Sequence, residues 1–117
     1  MNDVWQKIVN EIRSRAFEEP ALNGFFAKSI LDHSSLDHAL AFVLAKLLAE
    51  SIINSKSLED VFTEAFDSEP EIIEATQKDL YAVLERDSAC NEAHLPFLYF
   101  KGFHALQIHR VANWLWN

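Results

Sequence analysis

Five histidines, one cysteine and eighteen carboxylates are the side chains of this 117-residue sequence that could bind a metal, move a proton or attack a carbonyl. Asp32-His33 and Asp37-His38 are of the types that ligate transition metals. The second pair falls in the first turn of a helical pattern, where the helix dipole favours acids in any case, and no metal site is expected. Cys90 and His94 could serve as nucleophile and base, but nothing nearby orients the base or donates to an oxyanion, so Cys90 reads as a plain loop cysteine. His104 sits at an apolar position of a helical pattern, where a histidine satisfied inside the core is commoner than a ligand or a base. With two glycines in the whole chain, Gly24 and Gly102, a glycine-rich phosphate loop is excluded. No catalytic residue is assigned, and by chemistry alone Asp87, in the same loop as Cys90, is a surface acid.

These residues hang on elements whose order can be read from periodicity. Asp3 can cap a helix to about Phe17, with Trp5, Ile8, Val9, Ile12 and Ala16 on one face. A second, looser pattern runs from Pro20 to Leu31 through Leu22, Phe25, Phe26, Ser29 and Ile30, weakened by Asn23 and Gly24. Ser34 and Asp37 form a capping box for a third helix to about Ala49, whose interior from Ala39 is apolar all round except for Lys46. Such a helix belongs in the middle of a bundle, and about ten such residues are too few to cross a bilayer. After a polar stretch from Glu50 to Lys56, Ser57 and Asp60 repeat the cap pattern for a short helix with Val61, Phe62 and Phe66. Ser68-Glu69-Pro70-Glu71 supplies a cap serine, a first-turn proline and an acid for a fifth helix to about Glu85.

From Arg86 to His94 the apolar pattern lapses into a loop. Beyond it, Leu95–Asn117 reads as one long terminal helix, with Pro96 in its first turn and Phe97, Phe100, His104, Ile108, Val111 and Leu115 on one face. Gly102, inside that pattern, is expected to permit close approach by another backbone. Half of the residues are hydrophobic and only two glycines and three prolines are present, too few turn residues for a sandwich or barrel. The expectation is a single all-α domain over residues 1–117, a bundle of about six helices with a long C-terminal helix. A formal charge of −8 disfavours nucleic acid and anionic membrane surfaces as partners. One cysteine and no signal-like N-terminus place the chain in the cytoplasm by default.

The run LPFLYFKGFHALQIHRVANWLWN, with RDSA at Arg86–Ala89 and EAF…EPEII over Glu64–Ile73, resembles the N-terminal helical domain of bacterial serine acetyltransferases. The similarity covers nearly the whole chain. It is most specific from Glu69 onward, where KGFHALQ is a rare string, and weakest from Leu47 to Lys56. The chain departs from the family pattern at Ser88, where a proline is usual, and at Leu95, where a threonine is usual.

The resemblance implies a parent enzyme that transfers acetyl from acetyl-coenzyme A to the hydroxyl of L-serine on the way to cysteine. In that family the acetyl-donor site and catalytic histidine lie in a C-terminal left-handed β-helix of hexapeptide repeats. This sequence contains no such repeat, so it is expected to be an N-terminal domain cut from a longer enzyme, inactive alone and holding no cofactor. Among the family's substrate contacts only Asp87 is matched. The resemblance implies that its carboxylate helps bind the amino group of serine, and of the inhibitor L-cysteine, in the completed site. It also implies self-association into a hexamer, a dimer of trimers, and contact with O-acetylserine sulfhydrylase through a C-terminal tail that this chain lacks. The aromatic residues Phe97, Phe100, Phe103, Trp114 and Trp116 fit an assembly surface independently. A free-standing helical protein–protein interaction module is the alternative, and an unrelated small enzyme using His104 or Cys90 is a third reading.

Overall fold

The computed structural model describes residues 4–49, 54–87 and 89–116. The Asp3 cap and most of the Glu50–Lys56 stretch lie outside them. Val4, Ile8 and Ile12, spaced by four, wind α1 (Val4–Glu18) so that one stripe is fully buried, with Trp5, Val9 and Ala16 packed at its edges. The Pro20–Leu31 segment stays helical throughout but changes pitch. A 3₁₀ turn at Pro20–Leu22 leads into α2 (Asn23–Phe26), and a π-helical turn over Ala27–Leu31 closes with the Asp32 N–H on the Ala27 carbonyl at 2.8 Å. Phe26, Ser29 and Ile30 are thereby turned inward.

Helix α3 (Leu36–Leu48) begins one residue later than its capping pattern suggested. Ser35, not Ser34, is the cap, its hydroxyl accepting from the His38 N–H at 3.5 Å. Seven residues of α3 are buried, as an all-round apolar helix requires, but Leu47 and Leu48 at its end are exposed. Helix α4 (Ser55–Ser68) packs against α3 in the most extensive helix pairing of the fold. It starts two residues before Ser57, because Asn54 is the cap and its side-chain oxygen accepts from the Ser57 N–H at 2.8 Å. Helix α5 (Pro70–Arg86) also departs from its expected cap. Ser68 is still the last residue of α4, and Glu69 occupies the cap position without a side-chain bond, leaving Pro70 to set the first helical φ.

The terminal segment is two helices rather than one: α6 (His94–Tyr99) and α7 (Lys101–Trp116). Phe100 between them is extended, with φ −88° and ψ 112°. A continuous helix would use the Phe97 carbonyl to accept the Lys101 N–H. At this break the His104 ring takes that place, donating from Nε2 to the Phe97 oxygen at 2.7 Å. The kink rotates the apolar stripe. Phe103, His104, Gln107 and Val111 are buried, while Leu115 is 58% exposed. Phe97 and Phe103 belong to the core, Phe100 and Trp114 pack on its edge, and only Trp116 of the five terminal aromatics is largely in solvent, at 87%. No described helix is long and apolar enough to cross a membrane.

Candidate functional site

Asp87 caps the C-terminal end of α5, where its N–H still bonds the Val83 carbonyl at 3.0 Å and its backbone turns extended. The carboxylate then folds over its own loop, one oxygen accepting the Ala89 N–H at 2.9 Å, and the Asp87 carbonyl accepts the Cys90 N–H at 2.9 Å. An Asp that bonds backbone two residues on is a standard turn-former, so this bond follows from the residue type. Asp87 is exposed, and a carboxylate with one such bond retains acceptor sites on both oxygens.

Asp87 stands at one side of a groove of about 640 Å³. The last turns of α5 form one wall through Asp79, Ala82, Val83 and Arg86, and the Phe100 break with the first turns of α7 forms the other through Lys101, Gly102, Phe103 and Leu106. Gly102 does not admit a neighbouring backbone, as had been expected. A Cβ built on it meets nothing within 4 Å, because the residue faces the groove. Asp79 is committed to holding the walls together. Arg110 forks onto it at 2.6 and 3.4 Å and the Gln107 amide donates to it at 2.8 Å, while the Thr76 hydroxyl lies 2.7 Å from the Gln107 carbonyl oxygen. Thr76 and Gln107 are fully buried, so this polar network ties α5 to α7 under the groove. Asp87 is therefore the groove carboxylate still open to a cation.

The other end of the loop is fixed from α1. Glu11 presents a carboxylate of 9% exposure whose two oxygens take four donors: the Ala93 N–H at 3.0 Å, the His94 N–H at 2.9 Å, the His94 ring at 3.0 Å and Lys7 at 3.0 Å. Burial alone would raise the Glu11 pKa, but the His94 ring and backbone, Lys7 and the Ala93 N–H together outweigh it and hold the group at about 2. Arg15, one turn on, donates to Glu92 at 2.9 and 3.2 Å, and this bond chiefly raises the guanidinium pKa.

The residues weighed first for catalysis are otherwise engaged. Cys90 is buried with its thiol directed at the Glu92 carbonyl at 3.6 Å, and His94 is spent on Glu11. Burial lowers the His104 pKa against the opposing pull of the Phe97 carbonyl, so the ring is a neutral donor inside the core. His33 lies 2.8 Å from the Lys28 carbonyl and His38 lies 3.2 Å from the Ser34 hydroxyl. Among the described residues no three His, Cys, Asp or Glu side chains converge as a ligand set. Of the residues that shape the site, sequence reasoning missed the Thr76, Asp79, Gln107 and Arg110 network and the Glu11 and Arg15–Glu92 anchors. Gln107 carried a signal, since a polar residue three after His104 and four before Val111 must lie on the buried stripe; Glu11 sat at the edge of its stripe and carried none.

Comparison with known proteins adds the context that geometry lacks. Residues 4–108 match the family model for the N-terminal part of serine acetyltransferase. The serine acetyltransferase of Haemophilus influenzae is 44% identical over 98% of this chain and 43% of its own length. Among solved structures, a serine acetyltransferase in complex with cysteine superposes with a TM-score of 0.96 at 44% identity, covering all of this chain and 49% of that one. A coenzyme A complex of serine acetyltransferase gives 0.96 at 43% identity, covering 98% and 49%. The chain thus spans about two fifths of the length of the curated relative, 43%.

Proposed function

Because the chain belongs to the serine acetyltransferase family, matching its N-terminal part, we propose that it is the oligomerisation and substrate-loop domain of an enzyme that acetylates the hydroxyl of L-serine from acetyl-coenzyme A. The observation that carries this reading is the family match over residues 4–108, whose span includes an exposed Asp87 at the head of a groove. In the completed site the serine hydroxyl oxygen attacks the thioester carbonyl and coenzyme A leaves as the thiol. The base for that step belongs to the β-helix domain that follows in the family. The part of this chain is to hold the substrate: the Asp87 carboxylate accepts from the serine ammonium, and L-cysteine, with the same ammonium and carboxylate, competes for it. Leu115 and Trp116, neighbours at the end of α7 and both exposed, supply apolar surface that an assembly would cover.

The test is Asp87→Ala in the full-length enzyme. Loss of a charge-assisted hydrogen bond costs roughly 1.5 to 3 kcal/mol, or about ten- to hundredfold in kcat/KM for serine. The ammonium keeps its charge while the hydroxyl reacts, so the loss falls mainly on serine KM. The KM for acetyl-coenzyme A stays as it was, and sensitivity to cysteine drops in parallel. Unchanged serine KM together with unchanged cysteine inhibition refutes the role. Residues 1–117 alone, which contain no hexapeptide repeat, are expected to show no turnover above background when assayed with acetyl-coenzyme A and serine.

A further inference from the structure

The loop that carries Asp87 is pinned at its far end, at Ala93, by a residue 82 positions earlier, and this bears on substrate binding. Helix α6 has no side-chain cap of its own, and Ala93 stands at its cap position. The two leading N–H groups, of Ala93 and His94, would otherwise be unsatisfied at a buried helix start. Glu11 supplies the cap from another helix, one oxygen on each N–H, and adds the His94 ring as a third bond to the same turn. Arg15 holds the preceding residue, Glu92. Between this anchor and α5, Cys90 is buried and its N–H is returned to the Asp87 carbonyl, which ties that part of the loop back to the end of α5.

We infer that Glu11 is a positioning residue for serine: by capping α6 from α1 it anchors Ala93 and His94, the far end of the loop that Asp87 begins, and so sets where the Asp87 carboxylate meets the substrate ammonium. This rests on the reading of Asp87 as the ammonium contact. Glu11 touches neither substrate nor reacting atoms, and its effect passes through the loop. A carboxylate suits the task because all four of its partners are donors; an amide of the same size would turn an NH₂ toward donors and lose half of the cap.

A double-mutant cycle in the full-length enzyme separates the possibilities, with Glu11→Gln, Asp87→Ala and both together. The expected result is a rise of about tenfold in serine KM for Glu11→Gln, with weaker cysteine inhibition and an unchanged KM for acetyl-coenzyme A. In the Asp87→Ala background the same change should add less than about twofold, because the contact it positions is already gone. If Asp87→Ala raises serine KM but Glu11→Gln does not, or multiplies it equally in both backgrounds, the inference fails and the Asp87 reading survives. If Asp87→Ala has no effect, both fall. Should Glu11→Gln fail to assemble, Arg15→Met repeats the cycle from the more exposed anchor. A rise of about threefold that vanishes in the Asp87→Ala background supports the inference, and an unchanged or additive result overturns it.

Discussion

Along α3, Leu40 and Leu44 are sealed from solvent by other apolar side chains, whereas Ala89, Ala93 and His94 in the loop after α5 are held by carboxylates, through their N–H groups and one imidazole ring. Apolar burial is worth roughly 25 cal/mol per Å² whatever the orientation, so it decides which helices meet and leaves fine placement to packing. Hydrogen bonds to a carboxylate are directional and fail with a shift of an ångström, so they fix the position of the groups they join. The two regions should then fail under different insults. The α3–α4 pairing should respond to lost volume and ignore mild acid, while the loop should respond to charge.

The largest effect expected is from Leu44→Ala, which removes a fully buried side chain and should destabilise the 117-residue chain by about 2 to 5 kcal/mol. Urea unfolding measures it; a loss under about 1 kcal/mol would mean that α3 is not the sealed centre described. Acid sharpens the contrast at the loop. The Glu11 pKa is about 2 in the fold against 4.5 unperturbed, so its stabilisation is complete above about pH 4.5 and is lost as pH falls toward 2. The contribution is on the order of 1 to 3 kcal/mol, allowing for solvent at the carboxylate edge. Other carboxylates titrate in the same range, so the measurement is the difference in unfolding free energy between the wild type and Glu11→Gln across pH 5 to 2. A constant difference would remove Glu11 as a charged anchor. The smallest effect is that of Asp87→Ala on stability, within about 0.5 kcal/mol, since among the described residues its exposed carboxylate holds one local bond, to the Ala89 N–H. A larger loss in thermal melts would mean that the turn bond to Ala89 carries stability of its own, and would blur the distinction.

Much of this was legible beforehand. The all-α architecture, the α1 stripe of Ile8 and Ile12, the buried middle of α3 and the satisfied state of His104 all follow from periodicity and from the scarcity of glycine and proline. The caps were misplaced by one to three residues at Ser35, Asn54 and Glu69, because several serines, asparagines and acids stood near each helix start and their types alone do not choose among them. Asp87 could be named only through its resemblance to a known family; its chemistry and spacing leave it a loop acid.

What the sequence determined by itself was the set of amphipathic helices and the family to which they belong, since both are written in local residue order. Tertiary structure alone decided the break at Phe100, itself neither glycine nor proline, where a buried imidazole takes up the Phe97 carbonyl that the break releases. It also decided the meeting of Glu11 with Ala93 and His94, a contact across some eighty residues that no periodicity encodes. The physical reason is common to both. A helix signal is a sum over neighbours within four residues, while a single polar group is satisfied by whichever partner the fold brings to it.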